Sequence, residues 1–109
     1  MTSRTWEKLV RDRIPEILAG QGIESTVRTL GEAEYLTALK EKLLEEAAEA
    51  QREQDPRDIA LELTDVVEVA YALAATIGIS RDRLEVLRQE RATERGGFEA
   101  RVFLEYTDN

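Results

Sequence analysis

The stretch "KLLEEAAEA" at 42–50 carries Glu45, Glu46 and Glu49, and "ALELTDVVEVAYAL" at 60–73 carries Glu62 and Asp65. Glu46 and Glu49 are three residues apart, as are Glu62 and Asp65, so on a helix each pair rises from one face on adjacent turns. Glu62 is the harder residue to explain. It projects between Val69 and Leu73 inside an apolar arc, and a buried carboxylate is costly unless it is neutral or finds a cation. Two antiparallel helices would set the pairs face to face, where four carboxylates repel by several kcal/mol in a partly dry site. A divalent cation removes that repulsion, and Mg²⁺ takes carboxylate and water oxygens in octahedral geometry. Glu45, Glu46 and Glu49 by themselves also read as a solvated helix face, with Lys42 and Glu46 an ordinary intrahelical pair.

The elements that must position these groups are legible from periodicity and punctuation. "RDRIPEILAGQG" reads as a short helix capped by Asp12, with Pro15 in its first turn and Gly20 and Gly22 ending it. The β-branched residues of 24–30 suggest a short strand. From 32 to 54 there is no Gly or Pro, and Leu36, Leu39, Leu43, Ala47 and Ala50 recur at helical spacing. Leu36, Leu43, Ala47 and Ala50 define the expected buried stripe, with Glu46 on its edge and Glu49 one step beyond. "DPRD" at 55–58 is a turn followed by a new start, with Asp55 as N-cap and Pro56 at the first helical position. That helix is expected to run to about Ile77 and stop at Gly78. Ile59, Leu63, Val66, Ala70, Leu73 and Ile77 lie at the centre of its broad arc, with Asp65 at the margin. Ser80 caps a last helix reaching about Arg95 before Gly96 and Gly97. "FEARVFLEY" alternates as a strand does and is expected to pair with the strand at 25–30.

Composition narrows the class. The 109 residues suffice for a single domain, 1–109, and 42% hydrophobic with 35% charged residues suits a mainly α fold, a helical bundle with a small two-stranded β element. A formal charge of −8 disfavours nucleic acid and anionic lipid as partners, and obliges any phosphate-bearing ligand to find local cations. With neither Cys nor His, thiolate and imidazole chemistry is excluded and oxygen ligands remain. No apolar run approaches the ~20 residues of a membrane span, and "MTSRTWEKLVRDR" lacks the apolar core of a secretory signal, so a cytoplasmic location is expected.

The combination Lys42-x-x-Glu45-Glu46-x-x-Glu49 and Glu62-x-x-Asp65 resembles the signature of the MazG-like all-α nucleoside triphosphate pyrophosphohydrolases, to which phosphoribosyl-ATP pyrophosphohydrolase is related. "KLVRDRIPEIL" at 8–18 and "ERGGFEARVFL" at 94–104 are similar to the flanks of a small subfamily, so the resemblance covers nearly the whole chain. It implies that Glu46, Glu49, Glu62 and Asp65 bind Mg²⁺, with Mn²⁺ a substitute, and that Glu45 orients water or acts as base. The reaction implied is hydrolysis of a nucleoside triphosphate between the α and β phosphates, giving nucleoside monophosphate and pyrophosphate, in the clearing or adjusting of a nucleotide pool. Metal ions can supply the acid chemistry, so no His is required. The alternatives are phosphoribosyl-ATP pyrophosphohydrolase itself, which the flanks resemble less, and a non-catalytic helical interaction module.

Candidate phosphate cations are Lys42, which also reads as an intrahelical partner, and Lys8, Arg11, Arg13, Arg91 and Arg95, which also read as solvated surface charge. The aromatics are Trp6, Tyr35, Tyr71, Phe98, Phe103 and Tyr106, read mostly as core rather than as base-stacking platforms. The apolar arc of the third helix spans about half its circumference, wider than the ~100° stripe of a helix covered on one face. A homodimer or larger assembly built on that helix is therefore expected, with Ala70 and Ala74 permitting close approach.

Overall fold

The computed structural model describes residues 3–108 and is mainly α. Its helices are α1 (Ile14–Gly20), α2 (Glu32–Arg52), α3 (Pro56–Thr76) and α4 (Arg81–Arg95). Local chemistry accounts for most boundaries. Asp55 accepts a hydrogen bond from the Arg57 amide at the start of α3, followed by Pro56, and Ser80 accepts one from the Arg83 amide at the start of α4. The end of α3 is a Schellman turn: the Ile79 amide donates to the Ala74 carbonyl and the Gly78 amide to the Ala75 carbonyl. That turn requires the positive φ of +78° that Gly78 adopts without a Cβ penalty. The expected cap of α1 is not formed. Arg13 occupies the N-cap position, without a side-chain cap bond, because Asp12 lies a residue too early in the preceding turn.

The three-residue link after α2, Glu53 to Asp55, returns the chain at once, so α2 and α3 pack as an antiparallel hairpin, and α3 also meets α4. The buried side chains are Leu39 and Glu46 on α2 and Val69 and Ala74 on α3. The rotation of both helices therefore differs from the expected stripe. Glu46 lies in the helix–helix contact rather than on its edge, Ala47 is exposed, and Leu63 on α3 is half exposed.

Among the described residues there is no strand, which corrects the expected pairing of 24–30 with the tail. Both segments have strand-like alternation, but a ladder needs an aligned partner. The tail is interrupted by a turn in which the Arg101 amide donates to the Phe98 carbonyl and Arg101 takes φ +59°. The earlier segment is tied instead to the start of α2, where Arg28 grips Glu34 through two bonds of 3.1 and 2.8 Å and holds its carboxyl below the ordinary value.

The protomer is extended. Its radius of gyration is 18.2 Å, against about 13 Å for a compact chain of this length. Its accessible surface is 10055 Å², against about 6,100 Å² for a compact monomer of this mass. Much apolar surface stays open, including Leu61, Leu63, Val67 and Ile77.

Candidate metal centre

The α2–α3 hairpin brings the two acidic motifs together. Glu46, Glu62 and Asp65 each place one carboxylate oxygen so that all three lie within 4.8 Å of one another. A second set with the same spacing is formed by Glu49, Glu53 and Glu62. Glu62 is thus the shared corner of both groups. Its carboxyl is pushed above the ordinary glutamate value, first by removal from water, then by hydrogen bonding and charge from Glu46, and by the charges of Asp65 and Glu49.

Glu53 is the residue that the sequence reading missed. It lies four residues beyond Glu49 and seven beyond Glu46, on the same helical face, so spacing alone contained the signal. It sits just past the end of α2, where the chain still follows the helix closely enough for the Glu53 amide to reach the Glu49 carbonyl.

The donor set suits a hard divalent cation. It consists of carboxylate oxygens alone, with neither cysteine nor histidine anywhere in the sequence. Around Mg²⁺ at ~2.1 Å, adjacent ligand oxygens are about 3 Å apart and opposite ones about 4 Å. The present limit of 4.8 Å is somewhat wider than those separations.

Cations already border the cluster. Lys42, only 16% exposed, approaches Glu46 at 3.3 Å and Glu45 at 3.6 Å. Lys8 meets Glu45 at 3.7 Å, and Arg11 donates to Asp65 at 2.5 Å. The N-terminal segment before α1 is therefore pinned across both helices. Glu49 is engaged by Arg52 at 2.6 Å. Three of the six cations singled out from sequence come to the cluster in this way. Arg13 pairs instead with Glu16 of its own helix, while Arg91 and Arg95 are exposed on α4 and form no ion pair among the described residues. Glu68 points elsewhere and pairs with Arg81 at 3.7 Å.

Glu45 occupies the rim. It belongs to neither three-carboxylate group and lies between Lys8 and Lys42, with its side chain 39% exposed. The aromatics depart from the expected core role. Trp6 is 57% exposed and Phe98, Phe103 and Tyr106 lie almost fully open, whereas Tyr35 and Tyr71 are half-buried. One surface depression, lined by residues 19 and 22–26, contains no residue of the carboxylate cluster, which instead occupies an open helical face.

A Mycolicibacterium smegmatis protein described as uncharacterized is 53% identical over 55 residues, covering 50% of this chain. The matched stretch spans 55% of that protein's own length. No family model and no solved structure matches the chain.

Proposed function

We propose that the chain is a Mg²⁺-dependent nucleotide pyrophosphohydrolase of the MazG-like kind, acting on the bond between the α and β phosphates of a nucleoside triphosphate. The observation that carries this reading is Glu62 as the common corner of carboxylate groups drawn from both helices. Its sequence support is the paired-motif resemblance that prompted the ligand set.

In this reading Glu46, Glu49, Glu62 and Asp65 hold the metal, with Glu53 beside them. A bound divalent ion lowers the pKa of its water and neutralises charge on the phosphates, and Mn²⁺ serves as well. Glu45, poised at the rim, accepts the proton as water opens the phosphoanhydride, giving nucleoside monophosphate and pyrophosphate. Lys8, Arg11 and Lys42 are the cations within reach of the phosphates, and they are held by carboxylates until those carboxylates take a stronger partner.

The reading includes a homodimer or larger assembly. Each protomer exposes roughly 4,000 Å² more than a compact chain would, and obligate interfaces remove about 2,000–5,000 Å² or more in total. An open face at the cluster fits the same arrangement, in which neighbouring chains complete the pocket. Among the described residues no single helix is long and apolar enough to cross a membrane, and a cytoplasmic location accords with a nucleotide substrate.

The deciding experiment is purified protein incubated with Mg²⁺ and, separately, each common NTP and dNTP and phosphoribosyl-ATP, scored separately for pyrophosphate and orthophosphate. Metal-dependent pyrophosphate release supports the proposal. Release from phosphoribosyl-ATP alone transfers it to that enzyme, and no release from any of them leaves the helical interaction module.

A further inference from the structure

The N-terminal segment holds a feature that the phosphate chemistry does not use. Trp6, the sole tryptophan, is 57% exposed, yet it is flanked by charge: the Arg4 guanidinium lies 3.8 Å from its ring centroid and the Lys8 ammonium 5.2 Å. Lys8 is also the cation bound to Glu45, at 3.7 Å. Legs of 5.2 and 3.7 Å meeting at one ammonium keep the indole centroid within about 9 Å of the Glu45 carboxylate at the rim of the cluster.

Backbone geometry supports the same arrangement. Glu7, between Trp6 and Lys8, takes φ +45°, a left-handed conformation uncommon for a residue with a Cβ. The chain bends there, and such local strain persists where surrounding contacts over-determine it. Those contacts are visible: Lys8 and Arg11 fasten the segment to α2 and α3. Residues 3–13 carry Arg4, Lys8, Arg11 and Arg13 against Glu7 and Asp12, a locally basic stretch in a chain of net charge −8. A half-exposed indole under a displaceable guanidinium, joined to a basic stretch, has the chemistry of a single-nucleotide platform, on which the base stacks and the cations meet the phosphates.

We propose that Trp6, with Arg4 and Lys8 beside it, is the stacking platform for the base of the nucleotide whose phosphates face the carboxylate cluster. The proposal rests on the nucleotide reading above and deepens it. The base takes the ring face that Arg4 covers, and the displaced guanidinium turns toward phosphate. Because every base has a π face, the platform selects nucleotides as a class and discriminates weakly among bases.

The test uses the whole protein, with Mg²⁺ and two probes: an α,β-methylene nucleoside triphosphate, which is not cleaved at that bond, and inorganic tripolyphosphate, which has no base. The nucleotide is expected to quench Trp6 fluorescence, and tripolyphosphate to leave it nearly unchanged. By calorimetry, Trp6→Leu should weaken the nucleotide roughly tenfold, leave tripolyphosphate unaltered, and keep the helical circular dichroism, while Trp6→Phe retains most of the nucleotide affinity. Equal nucleotide affinity in Trp6→Leu and the parent overturns the platform while the pyrophosphohydrolase stands. Equal loss for both probes also overturns it, since Trp6 would then act only by holding Lys8. If the parent protein binds neither probe and releases no pyrophosphate, the nucleotide reading itself falls, and the platform with it.

Discussion

Glu46 and Glu62, from the two arms of the α2–α3 hairpin, place carboxylate oxygens within 4.8 Å of one another, and Glu46 is buried to 9% exposure. Among the described residues no ion pair reaches Glu62, whereas Glu46 has Lys42 and Asp65 has Arg11. Within the group of Glu46, Glu62 and Asp65 the uncompensated member is therefore Glu62, and the consequences concentrate there.

Glu62→Gln keeps the shape and removes the charge. Changing a group that merely supports a metal ligand costs about 10–100-fold, so losing the shared ligand should lower pyrophosphate release by roughly 100-fold or more. Far-UV circular dichroism should be unchanged. Near-normal turnover in this variant would remove the ligand assignment.

Without metal, the same group makes stability depend on pH. The folded chain raises the Glu62 pKa, so it holds that proton more tightly than the unfolded chain does. The stability is fully present below the ordinary glutamate range and is lost as pH rises through the raised value. In chelator, the melting temperature should fall over that window in the parent protein and stay flatter in Glu62→Gln. Millimolar Mg²⁺ should raise the parent's melting temperature above that window and leave Glu62→Gln nearly unmoved. Identical pH profiles for the two proteins in chelator would refute the coupling.

Arg11 competes with any cation for Asp65. Removing it in Arg11→Gln should tighten Mn²⁺ binding, measured by calorimetry without nucleotide, by no more than about fivefold, the scale of an exposed ion pair. The same variant should raise KM for nucleotide, because a phosphate partner is lost. Weaker metal binding in Arg11→Gln would show that the arginine supports the site rather than occupying it.

The open face of α3 should be covered in solution. Light scattering at micromolar concentration should give at least twice the 12.4 kDa of one chain. Leu63→Glu, which places a charge on that half-exposed face, should lower the mass and the melting temperature together. A parent mass near one chain would refute the assembly and require a nucleotide pocket made by a single protomer.

Much of the fold was written locally. Gly-free and Pro-free runs, Asp55 and Ser80 as caps, and Gly78 as a stop depend on interactions within a few residues, and α2, α3 and α4 begin and end close to where those signals lie. The facing of the two acidic pairs followed from the shortness of the link between α2 and α3. The rotation of each helix about its axis did not follow. α2 carries apolar residues on several sides, among them Leu39, which is buried, and Leu44, which is 74% exposed, so periodicity alone admits more than one contact face. Packing against α3 selects the face that buries Glu46 and exposes Ala47. The strand-like segments failed for a related reason: alternation describes a side-chain pattern, whereas a ladder needs a partner in register. The cations at the cluster were the least legible feature. Lys8 and Arg11 meet Glu45 and Asp65 from a segment far away along the chain, 54 residues in the case of Arg11 and Asp65. Spacing on a helix reveals which groups share a face, but only the folded chain decides which distant charge is laid across it.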